Sequence, residues 1–461
     1  MDTNTRRRLA GTSISRDAAI TTASTGNLHG TTVAVVVTLC TVTFTICVCL
    51  SMIVWRGPLR GPVLSYDVGL YLLHQEATAR GKILSDAQVT RARSDFAPFE
   101  GFIFTAKDAA RARAQIKTKT SKTSVQVGQG GYFCTLIRLG RGVNTCPPPE
   151  FKIAHATLQQ MNKRVTIAVS LWDEPVSLTG KDGAVCGSSA ALADSFTGPG
   201  GDPDTDNDAR ASPFFTDPSA YPSTDRAFPY FSNCKTVVPG HNVNIVACLW
   251  NNGHFVTRDL KVGTIPPVPW VQKEARVVWR GSTTGGGFSG AYPVEHYPRF
   301  RIVDWAKKTP LREKMEVDVT LTSYVGLPAT GPVLQQVKEG YPLGAYQDVK
   351  TQFNAKYLLV IDGNAWPNRT AAFLHAGSVV LLASAFQDWV SRQIEPWVHY
   401  VPIRLDFSDL DEKLIWLVEH DAEAQAIGAR GKAFAERELD LVSMQLYNAA
   451  VVLEYARLFE P

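Results

Sequence analysis

Three short stretches of this 461-residue chain gather residue types that chemistry needs. The first is "VIDGNAWPNR" at 360–369, where an apolar run stops at an acid and a glycine and then delivers Arg369 beside Pro367. Proline suits the first turn of a helix, and unpaired backbone N–H groups at a helix start attract anions. An arginine adds a planar fork of donors that matches phosphate oxygens. Spacing alone leaves Arg369 between two readings, a phosphate ligand and a surface arginine on an ordinary strand-to-helix loop. The second stretch, "WRGSTTGGGFSG" at 279–290, contains Arg280, Gly281 and Ser282, with Arg299 and Arg301 just downstream. Its glycines let backbone N–H groups approach an anion closely, and Ser282 can donate a hydroxyl. It lacks the Lys-Ser/Thr ending of a Walker A loop. Two such loops, each with an arginine, suggest a diphosphate held by protein cations. The third, "SLWDEPVSL", places Asp173 and Glu174 after an apolar run. A carboxylate there can act as a general base if it meets the acceptor proton; the same pair is also the composition of a simple turn.

All three stretches need strands to carry them. "VTIAVSL" at 165–171 reads as a buried strand ahead of Asp173. From 275 onward "ARVVW", "MEVDVTL", "YLLVI", "SVVLLA" and "HYVPI" read as strands, alternating with helical stretches from about 368, at "AFQDWVSRQI", and at 421–437 and 439–458. Ser408 with an acid three residues on predicts a capping box for a further helix. Strand alternating with helix implies a parallel, doubly wound sheet, whose ligands bind beyond the carboxyl ends of the strands. Upstream, 64–95 and 105–117 look helical, with Thr105 as a candidate cap. Residues 178–226, rich in Gly, Pro, Asp and Ser, read as a long excursion.

A charged fraction of 20% and a net charge of +4 show no basic stripe, so a nucleic-acid partner is not expected. Residues 31–55 carry no charged side chain and, at about 1.5 Å per residue, are long enough for a bilayer span. Arg6, Arg7, Arg8 and Arg16 precede them, and the positive-inside rule favours a cytosolic N-terminus. The body would then face the secretory lumen, where Cys134, Cys146, Cys186, Cys234 and Cys248 could form at most two bridges. Scattered histidines and the lack of a CxxC pair argue against zinc. The ending "YARLFEP" is not an ER-retention signal, so the expectation is a Golgi membrane protein, with the ER as the alternative.

The region from "KYLLVI" through "PWVHYVPIRLDFSDL" resembles glycosyltransferase family 90, which includes fungal capsule-associated xylosyltransferases and animal protein O-glucosyltransferases. "PWVHYVPI" is its most specific run; "WRGSTTGG" looks like the fungal branch's first donor loop, and "LWDEP" is similar to its acid-bearing motif. The resemblance covers roughly residues 150–458. It implies an α/β, GT-B-like fold with two Rossmann-type lobes facing a donor cleft, behind a single transmembrane helix. The domains expected are a cytosolic tail at 1–30, an anchor at 31–55, a stem at 56–95, an acceptor lobe at 96–255, a UDP-sugar lobe at 256–437 and a C-terminal helix at 438–461. The implied reaction is inverting transfer from a UDP-sugar without a bound metal. Asp173 matches the catalytic base, and Ser282 and Arg299 match donor-loop residues, with Arg301 as competitor. Gly363, Asn364, Ala365, Trp366, Pro367, Asn368 and Arg369 match the UDP-sugar loop, with Arg369 on the pyrophosphate. Asn368 also heads the one N-glycosylation sequon, expected to stay unoccupied because a glycan there would block the site.

The fungal-like loop favours xylose and a glycan acceptor; glucosylation or xylosylation of a serine on secreted proteins is the rival. An inactive lumenal scaffold is the alternative from another class. His399 is read as a core histidine fixing its loop and Trp397 as packing, while Asp388 and Glu395 are lesser candidates for a sugar hydroxyl.

Overall fold

The computed structural model of the chain describes residues 62–115, 134–170, 176–179, 183–186, 228–236, 244–249, 268–285, 293–363 and 365–460. The apolar segment 31–55, Asp173, Glu174 and Asn364 lie outside the described residues, as does most of the excursion. That excursion opens on a hairpin, Val176–Thr179 against Gly183–Cys186. Among the described residues no helix is long and apolar enough to cross a membrane.

The first part builds helices α1 (Pro62–Ala79), α2 (Asp86–Ser94), α3 (Ala106–Gln115) and α4 (Lys152–Gln160). The sequence predicts one helix over 64–95, but the chain breaks after Ala79. Gly81 takes φ +68°, a left-handed conformation favoured by glycine, and Ser85 with Gln88 forms a capping box that starts α2. Thr105 caps α3 as expected: its hydroxyl accepts the Asp108 N–H at 3.3 Å while Asp108 accepts the Thr105 N–H at 2.8 Å. Strands β1 (Cys134–Gly140), β2 (Arg164–Ser170), β3 (Tyr230–Ser232) and β4 (Asn244–Val246) form a four-stranded sheet in that order. It is mixed: β1 runs antiparallel to β2, and β2, β3 and β4 are parallel.

The second part is a five-stranded, wholly parallel sheet. Its strands are β5 (Glu274–Ser282), β6 (Glu316–Ser323), β7 (Ala355–Ile361), β8 (Val379–Ala383) and β9 (Val401–Pro402), in the order β6-β5-β7-β8-β9. Connecting helices include α5 (Pro298–Lys308), α6 (Pro332–Gly340) and α7 (Thr370–His375). A strand buried on both faces must be apolar throughout, and side chains alternate between faces. In β7, Tyr357, Leu359 and Ile361 enter one core with Trp279 and Leu381, while Leu358 and Val360 enter the other, which continues into the first sheet.

Helices α8 (Leu410–Glu419), α9 (Asp421–Glu438) and α10 (Leu441–Arg457) end the chain. The predicted capping box at Ser408 does not form. Asp409 is the residue ahead of α8 and makes no side-chain cap, while Ser408 hydrogen-bonds back to Asp406 at 2.8 Å. Helix α10 returns to the first part, packing on α1, α2 and α4. Asn448 there accepts the Cys248 N–H at 2.9 Å and donates to the Cys248 carbonyl at 2.8 Å.

"AFQDWVSRQI" is not the predicted helix. Phe386–Asp388 runs as a strand antiparallel to Cys234–Thr236, tying the second sheet to the first. The amides that would open a helix are taken: Asp362 accepts the Ala385 N–H at 2.7 Å and Ser384 Oγ accepts that of Phe386 at 3.1 Å. Beside this strap the fully buried Asp95 carboxylate pairs with Lys235 at 2.6 Å and with Arg392, and accepts the Val246 N–H at 3.0 Å. Removing one member of a buried ion network costs roughly 3–5 kcal/mol because the others stay buried and unpaired. Asp95→Ala is therefore expected to lower stability by about that much, read from the denaturant midpoint at unchanged m-value.

Candidate active site

In the second sheet β5 connects outward to β6 on one side, and β7 starts the series on the other. Strand order reverses there, leaving a crevice beyond the carboxyl ends of β5 and β7, where open α/β sheets bind ligands. The loops after these two strands are the arginine-bearing stretches singled out in the sequence.

Arg299 stands in the first turn of α5, after Pro298, and is 8% exposed. Its Nε donates to the Asp362 carbonyl at 2.8 Å; its Nη1 donates to the Ser282 carbonyl at 3.1 Å and reaches Ser282 Oγ at 3.3 Å and Thr284 Oγ1. The guanidinium lies 5.7 Å from the Trp279 ring. A Cβ on Gly363 would meet Arg299 Nη2 at 2.7 Å, so any side chain there would push the guanidinium out of its place. Arg301 sits about 200° round the same helix. Arg299 reaches both crevice loops.

Arg369 comes from the β7 loop. Its Nη1 donates to the Arg280 carbonyl at 2.6 Å, and the guanidinium lies 5.8 Å from the Phe373 ring. Helix α7, which it precedes, is only six residues long. The Thr370 N–H is turned back onto the Pro367 carbonyl at 3.2 Å. The anion-attracting group here is thus the guanidinium rather than a helix end. Both arginines are pinned by carbonyls at the end of β5, close enough for their charges to interact. Burial first, then Arg369, push Arg299 down to about 9, with Asp362 pulling the other way. An arginine keeps its proton at neutral pH, so the shift reflects the cost of burying this cation first and of its cationic neighbour second, a cost that a bound anion would offset.

The remaining residues divide. Ser282 lies 3.2 Å from Thr284 Oγ1, and both hydroxyls border Arg299. Gly281 lies under the Trp279 indole: a Cβ there would meet the ring at 2.6 Å. Arg280 turns away, pairing with Asp318 on β6 and donating to the Ala345 carbonyl at 2.7 Å. Ala365 and Pro367 face inward, whereas Trp366 and Asn368 are half-buried. Trp397 and His399 lie at the amino end of β9, across the sheet from the crevice. His399 Nδ1 accepts the Glu395 N–H at 3.0 Å, and its ring lies 5.2 Å from Phe434, so it fixes its loop. Trp397 is 40% exposed with φ +61° and packs edge-on against Trp416 at 5.3 Å.

Thr284 and Asp362 went unassigned in the sequence. Thr284 was visible as a hydroxyl in a glycine-rich loop, and Asp362 as the acid that stops a buried strand. The Asp362 carboxyl is 2% exposed; it accepts the Ala385 N–H at 2.7 Å and the Ser384 hydroxyl. Burial pushes it up to about 7 despite these bonds. Asp388 is also buried and raised, chiefly by burial. Among the described residues no group of three or more His, Cys, Asp or Glu side chains is placed to hold a metal ion. Cys146 is an exposed free thiol, while Cys234 and Cys248 are buried.

Residues 257–461, which contain both arginine loops, match the model of glycosyl transferase family 90. Over that span the chain is similar to this family. Protein O-glucosyltransferase 2 of Danio rerio is 36% identical over 107 residues, 23% of this chain and 21% of that protein. An uncharacterized protein, 027R of Frog virus 3, is 33% identical over 177 residues, 35% of this chain and 18% of that one. The chain thus spans about a fifth of the length of these curated relatives. The crystal structure of Anabaena Alr3699/HepE in complex with UDP-glucose is 14% identical, covering 41% of this chain and 50% of that one at a TM-score of 0.28, too slight a likeness to carry an argument.

Proposed function

We propose that this family 90 chain is an inverting glycosyltransferase that takes a UDP-sugar in the crevice between β5 and β7. The observation that carries the reading is the convergence of Arg299 and Arg369, each held by main-chain carbonyls, where the strand order reverses. Two fixed cations suit the diphosphate of a nucleotide sugar without a resident metal. The acceptor hydroxyl gives its proton to Asp173, three residues beyond the end of β2. Its oxygen bonds to the anomeric carbon while the bond from that carbon to the β-phosphate oxygen breaks. UDP leaves carrying the negative charge that the two arginines stabilise. A GT-B arrangement, with Asp173 on a lobe facing the donor lobe, fits this division of labour.

The sugar is xylose or glucose, which differ by one hydroxymethyl group, and the acceptor is a glycan hydroxyl. The names of the relatives favour a second acceptor reading, a serine hydroxyl on a secreted protein. Residues 31–55 would anchor the enzyme in the Golgi or ER membrane with its body in the lumen.

Thermal melting of the full-length chain tests the donor class, using UDP, UDP-xylose, UDP-glucose, UDP-galactose and GDP-mannose with and without a chelator. A ligand at a hundred times its dissociation constant stabilises by about 2.7 kcal/mol, a readily measured upward shift. Stabilisation by UDP and one UDP-sugar, unchanged by chelator, is expected. No response to any nucleotide would count against the transferase reading.

A further inference from the structure

We propose that Asp362 is a positioning residue for the diphosphate clamp. It would hold Arg299 in place through the backbone and brace the donor loop against the strap that joins the two sheets. This rests on the transferase reading. The contacts run in one line. The carboxylate holds the loop after β8 through the Ala385 N–H at 2.7 Å and the Ser384 hydroxyl. Its own carbonyl receives Arg299 Nε at 2.8 Å. The next residue, Gly363, leaves no room between loop and guanidinium. The residues after Ala385 pair with the first part in the register Phe386↔Thr236, Gln387↔Lys235 and Asp388↔Cys234. Lys235 in turn is tied to the buried Asp95.

A buried carboxyl is a costly choice for a loop anchor, and a neutral side chain could satisfy one amide more cheaply. What the carboxylate supplies is two acceptors at once, facing a hydroxyl and an amide on one neighbouring loop. These anchor Asp362 on one side of the 362–363 peptide, while the Gly363 N–H donates to the Ala365 carbonyl at 3.0 Å on the other, and together they set the peptide plane. That plane decides where the Asp362 carbonyl points, and so where Arg299 stands. The side chain itself need not touch the ligand.

The variants separate the brace from mere stability. Asp362→Asn keeps an acceptor for the Ala385 amide and can donate to Ser384 Oγ, whereas Asp362→Ala removes both contacts. UDP affinity is measured by calorimetry on the full-length chain, well below each variant's melting temperature and per mole of folded protein. Asp362→Ala is expected to weaken UDP binding at least about ten-fold, and Asp362→Asn less than about three-fold. A purely structural role would lower melting temperatures and leave the affinity of the folded fraction unchanged. Should Asp362→Ala fail to fold, Ser384→Ala removes one of the two contacts and is expected to weaken binding about three-fold or more. Wild-type affinity in the folded alanine variant, or in Ser384→Ala if it must stand in, would overturn the proposal. An asparagine variant as weak as alanine would also do so, because charge rather than bracing would then matter. If the wild type binds UDP and Arg369→Ala does not, such a result removes the positioning role alone. If the wild type binds no UDP, the transferase reading falls and takes this role with it.

Discussion

Arg369→Ala is expected to lower kcat/KM for the UDP-sugar by about 10²–10³, the scale of losing one fixed donor to a developing anion. UDP affinity should fall less, roughly ten- to hundred-fold, matching about 1.5–3 kcal/mol for a hydrogen bond to a charged group. The excess loss in turnover arises because the leaving diphosphate carries more charge in the transition state than in the bound donor. Folding should survive, since Arg369 is half-buried rather than buried, and the variant's melting temperature checks it. Arg299 is the harder residue to probe. It is buried and holds three segments together, so its alanine variant would leave the Asp362, Ser282 and Thr284 oxygens without their donor. Arg299→Lys keeps the charge but not the fork, and separates geometry from stability more cleanly. Equal activity of Arg369→Ala and wild type would end the assignment of this loop to the leaving group.

The second large effect concerns Asp173. Asp173→Asn is expected to reduce sugar transfer by about 10²–10⁴, the usual worth of a positioned general base. UDP affinity should stay within about two-fold, because the proposed step has the base act on the acceptor hydroxyl and not on the diphosphate. The wild-type pH–rate profile should carry an acidic limb from the ionisation of this carboxyl, and that limb should vanish in the variant. Measuring transfer and UDP binding on the same preparation distinguishes the two roles. Transfer close to wild type in Asp173→Asn would move the base elsewhere, with Glu174 the next to test.

How far the site could be read before folding depended on the distance between partners along the chain. The setting of Arg369 is local: an apolar strand, a glycine and a proline within ten positions predict a loop at a strand's carboxyl end, and the structure places it there. Arg280 shows the limit. It was grouped with the donor loop because it adjoins Gly281 and Ser282, yet its guanidinium turns to Asp318. The register of β5 on β6, with Thr320 beside Arg280, creates that pairing, and local sequence does not encode register between strands. Asp362 was equally opaque. Its carboxylate partners lie 22 and 23 residues later, on a loop that was expected to be helical. The same pair of contacts explains the missing helix: Ala385 spends its N–H on Asp362, and Phe386 enters the strap.

The sequence by itself determined the order of the five strands from residue 274, the parallel character of the second sheet and the two loops that carry the arginines. Those features follow from periodicity, from uninterrupted apolar strands and from glycine and proline, all properties of neighbours along the chain. Only the tertiary structure decided that Arg299 is held by the carbonyls of Ser282 and Asp362 at the crevice, that Arg280 belongs to an ion pair and that α10 returns to the first part. It also decided that Asp362 links the arginine clamp to the strap. Each of these depends on which segments, often hundreds of residues apart, are brought within hydrogen-bonding distance. That outcome is set by the burial of whole faces at once, such as the two cores flanking β7, and by the satisfaction of polar groups trapped between them.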